Sequence, residues 1–254
     1  MTIILKGPYG LEHPSVKSVI EIAEEILDQN KFLNTDLLYN KAKRRLKLPR
    51  KGLLTIIQLL LNKKILVEGS KFTKESVLSN PFRKNIYNFV KTHLGAHFSI
   101  IRKEIFSDLE GKIGSAGQLI WHLEMLLKFN YIKPVKFKKY TIFIPIEMDE
   151  EIGIIFFLLR DDINKKIVNL LIEQDTIKKS DVHKLINEKR ENIYYRINDL
   201  MNYNIISLIE EEGKELCLNP DKKELIVQIF KKMSHLFRQK ILMEEKQQLR
   251  IKKI

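Results

Sequence analysis

"LLKFNYIKPV", residues Leu126 to Val135, closes an apolar-striped run and passes directly into a short basic stretch. Close variants stand at "LLLNKKILVEG", from Leu59, and "DLMNYNIISLI", from Asp199. Aligned on Ile65-Leu66, Tyr131-Ile132 and Ile205-Ile206, the three lie 66 and 74 residues apart. That interval is too long for a solenoid repeat and suits a small domain written three times. The shared string reads as a helix end turning into a strand.

Working outward, the middle copy is the clearest. "NPFRKNIYNFVKTHLG" offers Asn80 as a helix cap and Pro81 at the first helical position, with Phe82, Ile86, Phe89 and Val90 on one face and Gly95 as the stop. "FSIIRKEIFSDL" predicts a second helix capped by Ser99, and "EGKIGS" a turn. "SAGQLIWHLEMLLKFN" predicts a third helix capped by Ser115, with Leu119, Leu123, Leu126 and Leu127 inward. "YIKPVKFKKYTIFIPI" then gives two short strands around a lysine-rich tip. Helix, helix, turn, helix and hairpin is the order of a winged helix-turn-helix.

The third copy predicts the same order: "DDINKKIVNLLIEQ", "KSDVHKLINEK" capped by Ser180, "RENIYYRINDLMNYN", and a hairpin turning at Glu212-Gly213. The first copy follows it more faintly, through "VKSVIEIAEEILDQN", "NTDLLYNKAKRRL", "PRKGLLTIIQLLLNKK" and "ILVEGSKFT". The expected fold is therefore mainly α with small β-hairpins. Three tandem winged helix-turn-helix domains, 1–79, 80–148 and 149–219, precede a long C-terminal amphipathic helix, 220–254. The stretch from Asp149 to Asp162 reads as a connecting apolar helix or strand.

Residues 80–146 resemble archaeal winged helix-turn-helix regulators of the broad ArsR and MarR type. The resemblance rests on Asn80-Pro81-Phe82-Arg83 with Ile86, on Gly95-Ala96-His97-Phe98, and on Trp121-His122-Leu123. It covers about a quarter of the chain and implies DNA binding, a dimeric state, and a structural role for His97 and His122.

The net charge of +13 points to a polyanionic partner. Divided along the chain, it is +6 over 1–79, +6 over 80–148, −5 over 149–219 and +6 over 220–254. A single cysteine, Cys217, excludes an internal disulfide framework. No apolar run reaches the roughly 18 residues needed to span a bilayer, so the expected location is the cytoplasm.

In a winged helix the third helix enters the major groove and the wing reaches flanking phosphates. Subtracting the apolar stripe leaves Ser115, Ala116, Gln118, Trp121 and His122 as groove-facing candidates, with Gln118 the best reader of a base edge. Lys136, Lys138 and Lys139 occupy the wing and Lys133 its base. In the first copy Arg44, Arg45, Arg50 and Lys51, with Lys41, Lys43 and Lys47, form a denser cluster around the start of the third helix. The third copy keeps Lys189, Arg190 and Arg196 but carries Glu210, Glu211 and Glu212 at its tip, which suits a protein contact better than a duplex. In the tail, Ile226, Ile229, Phe230, Met233, Leu236 and Phe237 share one side, which predicts a homodimer seam or, as the alternative, an extra helix folded back onto the third domain.

Nothing in the sequence assembles a nucleophile, base and stabiliser, and no phosphate-loop or zinc-protease motif occurs. The six histidines are dispersed, so no catalysis, metal or cofactor is expected. The expected function is a double-stranded DNA-binding transcription regulator. The alternatives are an assembly scaffold, similar to the tandem winged helices of ESCRT-II subunits, and a polymerase-associated or replication-initiating factor.

Overall fold

The computed structural model describes residues 9–29, 32–107, 114–209 and 214–233. The chain divides into two units, Met1–Ile146 and Glu147–Ile254. Both are mainly helical with small antiparallel sheets. Among the described residues no helix is long and apolar enough to cross a membrane.

The repeated string forms the same helix cap each time. Helices α3 (Arg50–Asn62), α7 (Ala116–Lys128) and α11 (Arg190–Asn202) are each followed by a residue in left-handed conformation: Lys64, Asn130 and Asn204, with φ of 55°, 52° and 53°. The next N–H, of Ile65, Tyr131 or Ile205, then donates to the carbonyl five residues back, of Leu60, Leu126 or Leu200, at 2.9 Å in every copy. This is the 6→1 bond of a Schellman cap. It reverses the chain so that Leu66, Ile132 and Ile206 turn into the core.

In the middle copy, α5 (Pro81–Thr92) starts where Asn80 Oδ1 accepts the Arg83 N–H at 3.1 Å. It stops at Gly95, whose φ of 116° and 2.9 Å approach of an added Cβ to Ile144 Cγ2 leave room for no side chain. Then come β1 (Ala96–His97), α6 (Phe98–Phe106), α7, β2 (Ile132–Phe137) and β3 (Tyr140–Pro145), with sheet order β1-β3-β2. Phe137 pairs with Tyr140, so Lys138-Lys139 is the hairpin turn. Ile86, Val90, Ile101, Leu119, Leu123, Leu126 and Phe143 fill the core. Ser99 does not cap α6; His97 does, its Nδ1 accepting the Ser99 N–H, because β1 carries the chain two residues earlier into the helix. Of the expected turn at 110–115, residues 110–113 lie outside the described residues.

The second unit opens with α8 (Glu150–Leu158), so the apolar stretch after Asp149 is a helix. It continues through α9 (Asp162–Gln174), β4 (Thr176–Lys178), α10 (Val182–Ile186), α11, β5 (Ile206–Ile209) and β6 (Glu215–Leu218), with sheet order β4-β6-β5. The short α10 starts after Asp181 rather than Ser180. The hairpin tip, 210–213, lies outside the described residues, and a helix covers 223–233.

The first copy has α1 (Pro14–Asp28), α2 (Thr35–Arg45) and α3, but "ILVEGSKFT" forms no strand. Leu66 and Val67 are buried, the chain then turns at Gly69, and Thr73 with Ser76 forms a capping box that launches α4 (Lys74–Val77). Too few residues separate the α3 cap from that box to complete a hairpin. In its place, Leu33 N–H donates to Ser70 O and Gly69 N–H to Leu33 O, both at 2.8 Å. The expected wing of this copy is therefore a pinned loop.

The cap makes a direct prediction. Lys64 bears the left-handed strain that glycine would not, so Lys64→Gly should raise unfolding free energy by about 0.5–1 kcal/mol. Asn130→Val should lower it by more than about 1 kcal/mol, since a β-branched residue resists this conformation. Urea denaturation measures both, and a Lys64→Gly protein no more stable than the parent would contradict the account.

Candidate nucleic-acid interface

On α7, Leu119, His122, Leu123 and Leu126 are buried, while Ser115, Gly117, Gln118, Ile120, Trp121 and Glu124 are exposed or partly so. Ser115 occupies the cap position without a side-chain capping bond. On β2, Val135 and Phe137 point inward, so Lys136 points out by strand alternation. Lys138 and Lys139 are exposed at the turn, and Lys133 is half-buried nearer the strand's start. The ammonium of Lys138 lies 5.9 Å from the Phe137 ring centre and that of Lys139 5.5 Å from Tyr140.

Of the groove-facing candidates, His122 must be withdrawn. Its side chain is only 3% exposed, and its ring stacks on Phe82 with centroids 5.7 Å apart. Neither ring nitrogen has a hydrogen-bond partner. Burial, and then the charge of Arg83, hold its pKa below the ordinary 6.5. Its neighbour Arg83 is likewise 3% exposed. Arg83 Nε donates to Val77 O at 2.6 Å, and the guanidinium lies 4.8 Å from the Phe72 ring and 5.4 Å from Trp121. Such contacts with aromatic faces stabilise a desolvated cation. The "NPFR" string thus supplies a cap, a helix start, an aromatic stack and a buried cation beneath α7.

The second unit uses the same positions differently. Asn164, three residues after the cap Asp161, donates from Nδ2 to Leu158 O at 2.9 Å. Arg196, at the place of His122, pairs with Asp161 at 2.7 Å. That pairing directs Arg196 inward rather than toward an external anion. Exposed on α11 are Arg190, Glu191, Asn192, Tyr195, Asn198 and Asn202.

The first-copy cluster is solvent-facing: Arg44, Arg50 and Lys51 are exposed, and Arg45 forms an ion pair with Glu25. Arg50 and Lys51 stand in the first turn of α3, which contains no acidic residue. Cations there oppose the helix dipole. In the tail, Ile226, Ile229 and Met233 are buried within the single chain. Side chains already buried in one chain cannot at the same time form an exposed seam for a second. Phe230 is half-buried beside an open groove of about 650 Å³ that also borders Lys165, Lys166 and Leu185. Leu236 and Phe237 lie outside the described residues.

No protein-family model matches the chain. It is 27% identical over 168 residues to an uncharacterized HTH-type transcriptional regulator of Methanocaldococcus jannaschii, a match covering 65% of this chain and 40% of that protein. The chain thus spans about two fifths of the relative's length.

The buried imidazole sets a pH dependence. The folded protein keeps His122 neutral, whereas the unfolded chain takes up its proton near pH 6.5. Stability should therefore be undiminished above that pH and fall as pH drops below it. His97, also lowered by burial, adds to the same limb. His122→Leu removes two unpartnered ring nitrogens and should make the decline from pH 6.5 to 5 shallower without loss at neutral pH. Thermal melts across that range test this, and an unchanged acid limb would refute it.

Proposed function

We propose that the chain is a double-stranded DNA-binding transcription regulator that acts by binding and performs no chemistry. In this reading residues 80–148 are a winged helix-turn-helix domain, with α7 the helix that enters the major groove and the β2–β3 hairpin its wing. Residues 149–219 form a second such domain, whose acidic balance suits a protein partner. Residues 1–79 supply a helix-turn-helix with basic side chains and a loop in place of a wing.

The observation that carries the reading is the outward face of one copy: Gln118 and Trp121 exposed on α7 with Ser115 at its start, followed by a hairpin exposing Lys136, Lys138 and Lys139. Lysines at a wing supply sequence-independent attraction to phosphate, and the helix side chains supply preference among bases. The relative's description as a transcriptional regulator supports the same role. With Ile226, Ile229 and Met233 buried within the chain, the reading requires no second copy. One observation favours the assembly-scaffold alternative: Ile120 and Trp121 are each 48% exposed, which also suits an apolar protein surface.

A mobility-shift titration with random duplex across a salt series decides between them. The regulator reading expects binding that weakens steeply with salt. Lys136, Lys138 and Lys139 changed together to Ala should weaken it further and reduce the salt slope by roughly 0.9 for each phosphate no longer neutralised. Gln118→Ala should change the preferred sequence more than affinity for random duplex. No binding even at low salt would leave the scaffold reading in its place.

A further inference from the structure

Two features of α7 are not required by the fold. The first is Gly117, an exposed residue in the first turn. Among the described residues a Cβ built there meets only Ser115 Oγ, at 3.7 Å, an ordinary contact, and its φ lies outside the left-handed region. Gly95, by contrast, is forced by both its φ and a close neighbour. A helix position that accepts alanine sterically is destabilised by glycine. Among the described residues nothing accounts for the missing side chain at 117. The second feature is the apolar pair one turn later. Ile120 and Trp121 stand three and four residues beyond Gly117, which places them beside it on the helix surface. Trp121 has an internal role, covering the Arg83 guanidinium. Ile120 leaves 48% of its surface in water.

A bare backbone position next to an exposed branched apolar side chain fits a ligand that approaches the helix closely and presents an apolar group there. Thymine, through its 5-methyl, is the base that offers such a group in the major groove. We infer that Gly117 and Ile120 form a subsite for thymine methyl groups, Gly117 allowing the base edges near and Ile120 covering the methyl. Neighbouring Gln118 has the amide that pairs with adenine through two hydrogen bonds, so the strip suits A·T pairs. Charge selects DNA over an apolar protein as occupant, because the hairpin that follows α7 carries Lys136, Lys138 and Lys139 outward. This inference rests on the DNA-binding reading above and adds to it the base class and the residues that choose it.

The test uses the full chain and the duplex that the parent protein enriches from a randomised pool. The second probe is the same duplex with deoxyuridine replacing thymidine, which removes only the methyl groups. The parent should bind the deoxyuridine duplex about fourfold more weakly for each methyl contacted. Ile120→Ala should lose a similar factor on the thymidine duplex and no longer distinguish the two probes. Gly117→Ala should melt at a higher temperature than the parent yet bind the thymidine duplex more weakly. Failure of the parent to bind any duplex at low salt overturns the DNA-binding reading itself. Duplex binding by a parent indifferent to deoxyuridine, or by Ile120→Ala with full sensitivity retained, overturns the methyl subsite alone. A Gly117→Ala protein that melts lower, or that binds as the parent does, overturns the close approach.

Discussion

A guanidinium taken out of water must be compensated where it lies, and in the first unit Arg83 is compensated in part, its Nη1 being buried without a hydrogen-bond partner. Arg83 uses a single carbonyl, Val77 O, and two aromatic faces, Phe72 and Trp121. Its partners come from both sides of the junction between the first two copies. Phe72 and Val77 belong to the loop and short helix that follow α3, Trp121 to α7. Tyr131 reinforces the junction, its hydroxyl donating to Lys74 O at 2.6 Å. Val67 and Val77 accordingly share the core that contains Leu119 and Leu126. Burial first, and then the same cation, hold the His122 pKa down, and Arg83 lies against Trp121 of α7, so Gln118 and Ile120 are left on the outer side of that helix.

The equivalent positions of the second unit show that the geometry, not the charge, is what repeats. There the residue three beyond the cap is the uncharged Asn164, again donating to a carbonyl six residues earlier. The position of His122 becomes Arg196, and the cap becomes Asp161, which neutralises it. In each unit one of the two inner positions is cationic and the other is not. Two unpaired cations in that space would repel across a short, poorly screened distance, and each solution avoids them. The helix thus supported presents Gln118, Ile120 and Trp121 in one unit and Asn192, Tyr195 and Asn198 in the other.

The cap string was legible because its cause is local: a left-handed residue and one backbone bond fix the chain reversal whatever surrounds it. Asn80, Pro81 and Gly95 were legible for the same reason. The loop at 65–73 was not, because its conformation depends on pairing with Leu33 and on a capping box starting the next helix. For the interface, spacing was a better guide than polarity. His122 lies three residues after Leu119 and four before Leu126, which places it on the buried stripe, yet an imidazole reads as polar. Ile120 falls off that stripe, yet an isoleucine reads as core. The tail was readable as amphipathic, but its sequence could not say that its own chain covers Ile226, Ile229 and Met233.

Local preferences are set aside at several exposed positions of the first unit, and their distribution carries meaning. Lys138 takes a φ of 52° in the hairpin turn, where glycine or asparagine would be less strained. Arg50 and Lys51 oppose the dipole of α3. Gly117 weakens the start of α7. Lys64 shows that one such departure proves little, since it sits in a cap with no evident external role. The others differ in occurring at the start of a third helix or at the tip of the following hairpin, and in sharing a direction. Each adds positive charge or removes bulk where a polyanion would approach. A fold selected for stability alone would gain by reversing each of them, so their retention points to a constraint outside the folded chain.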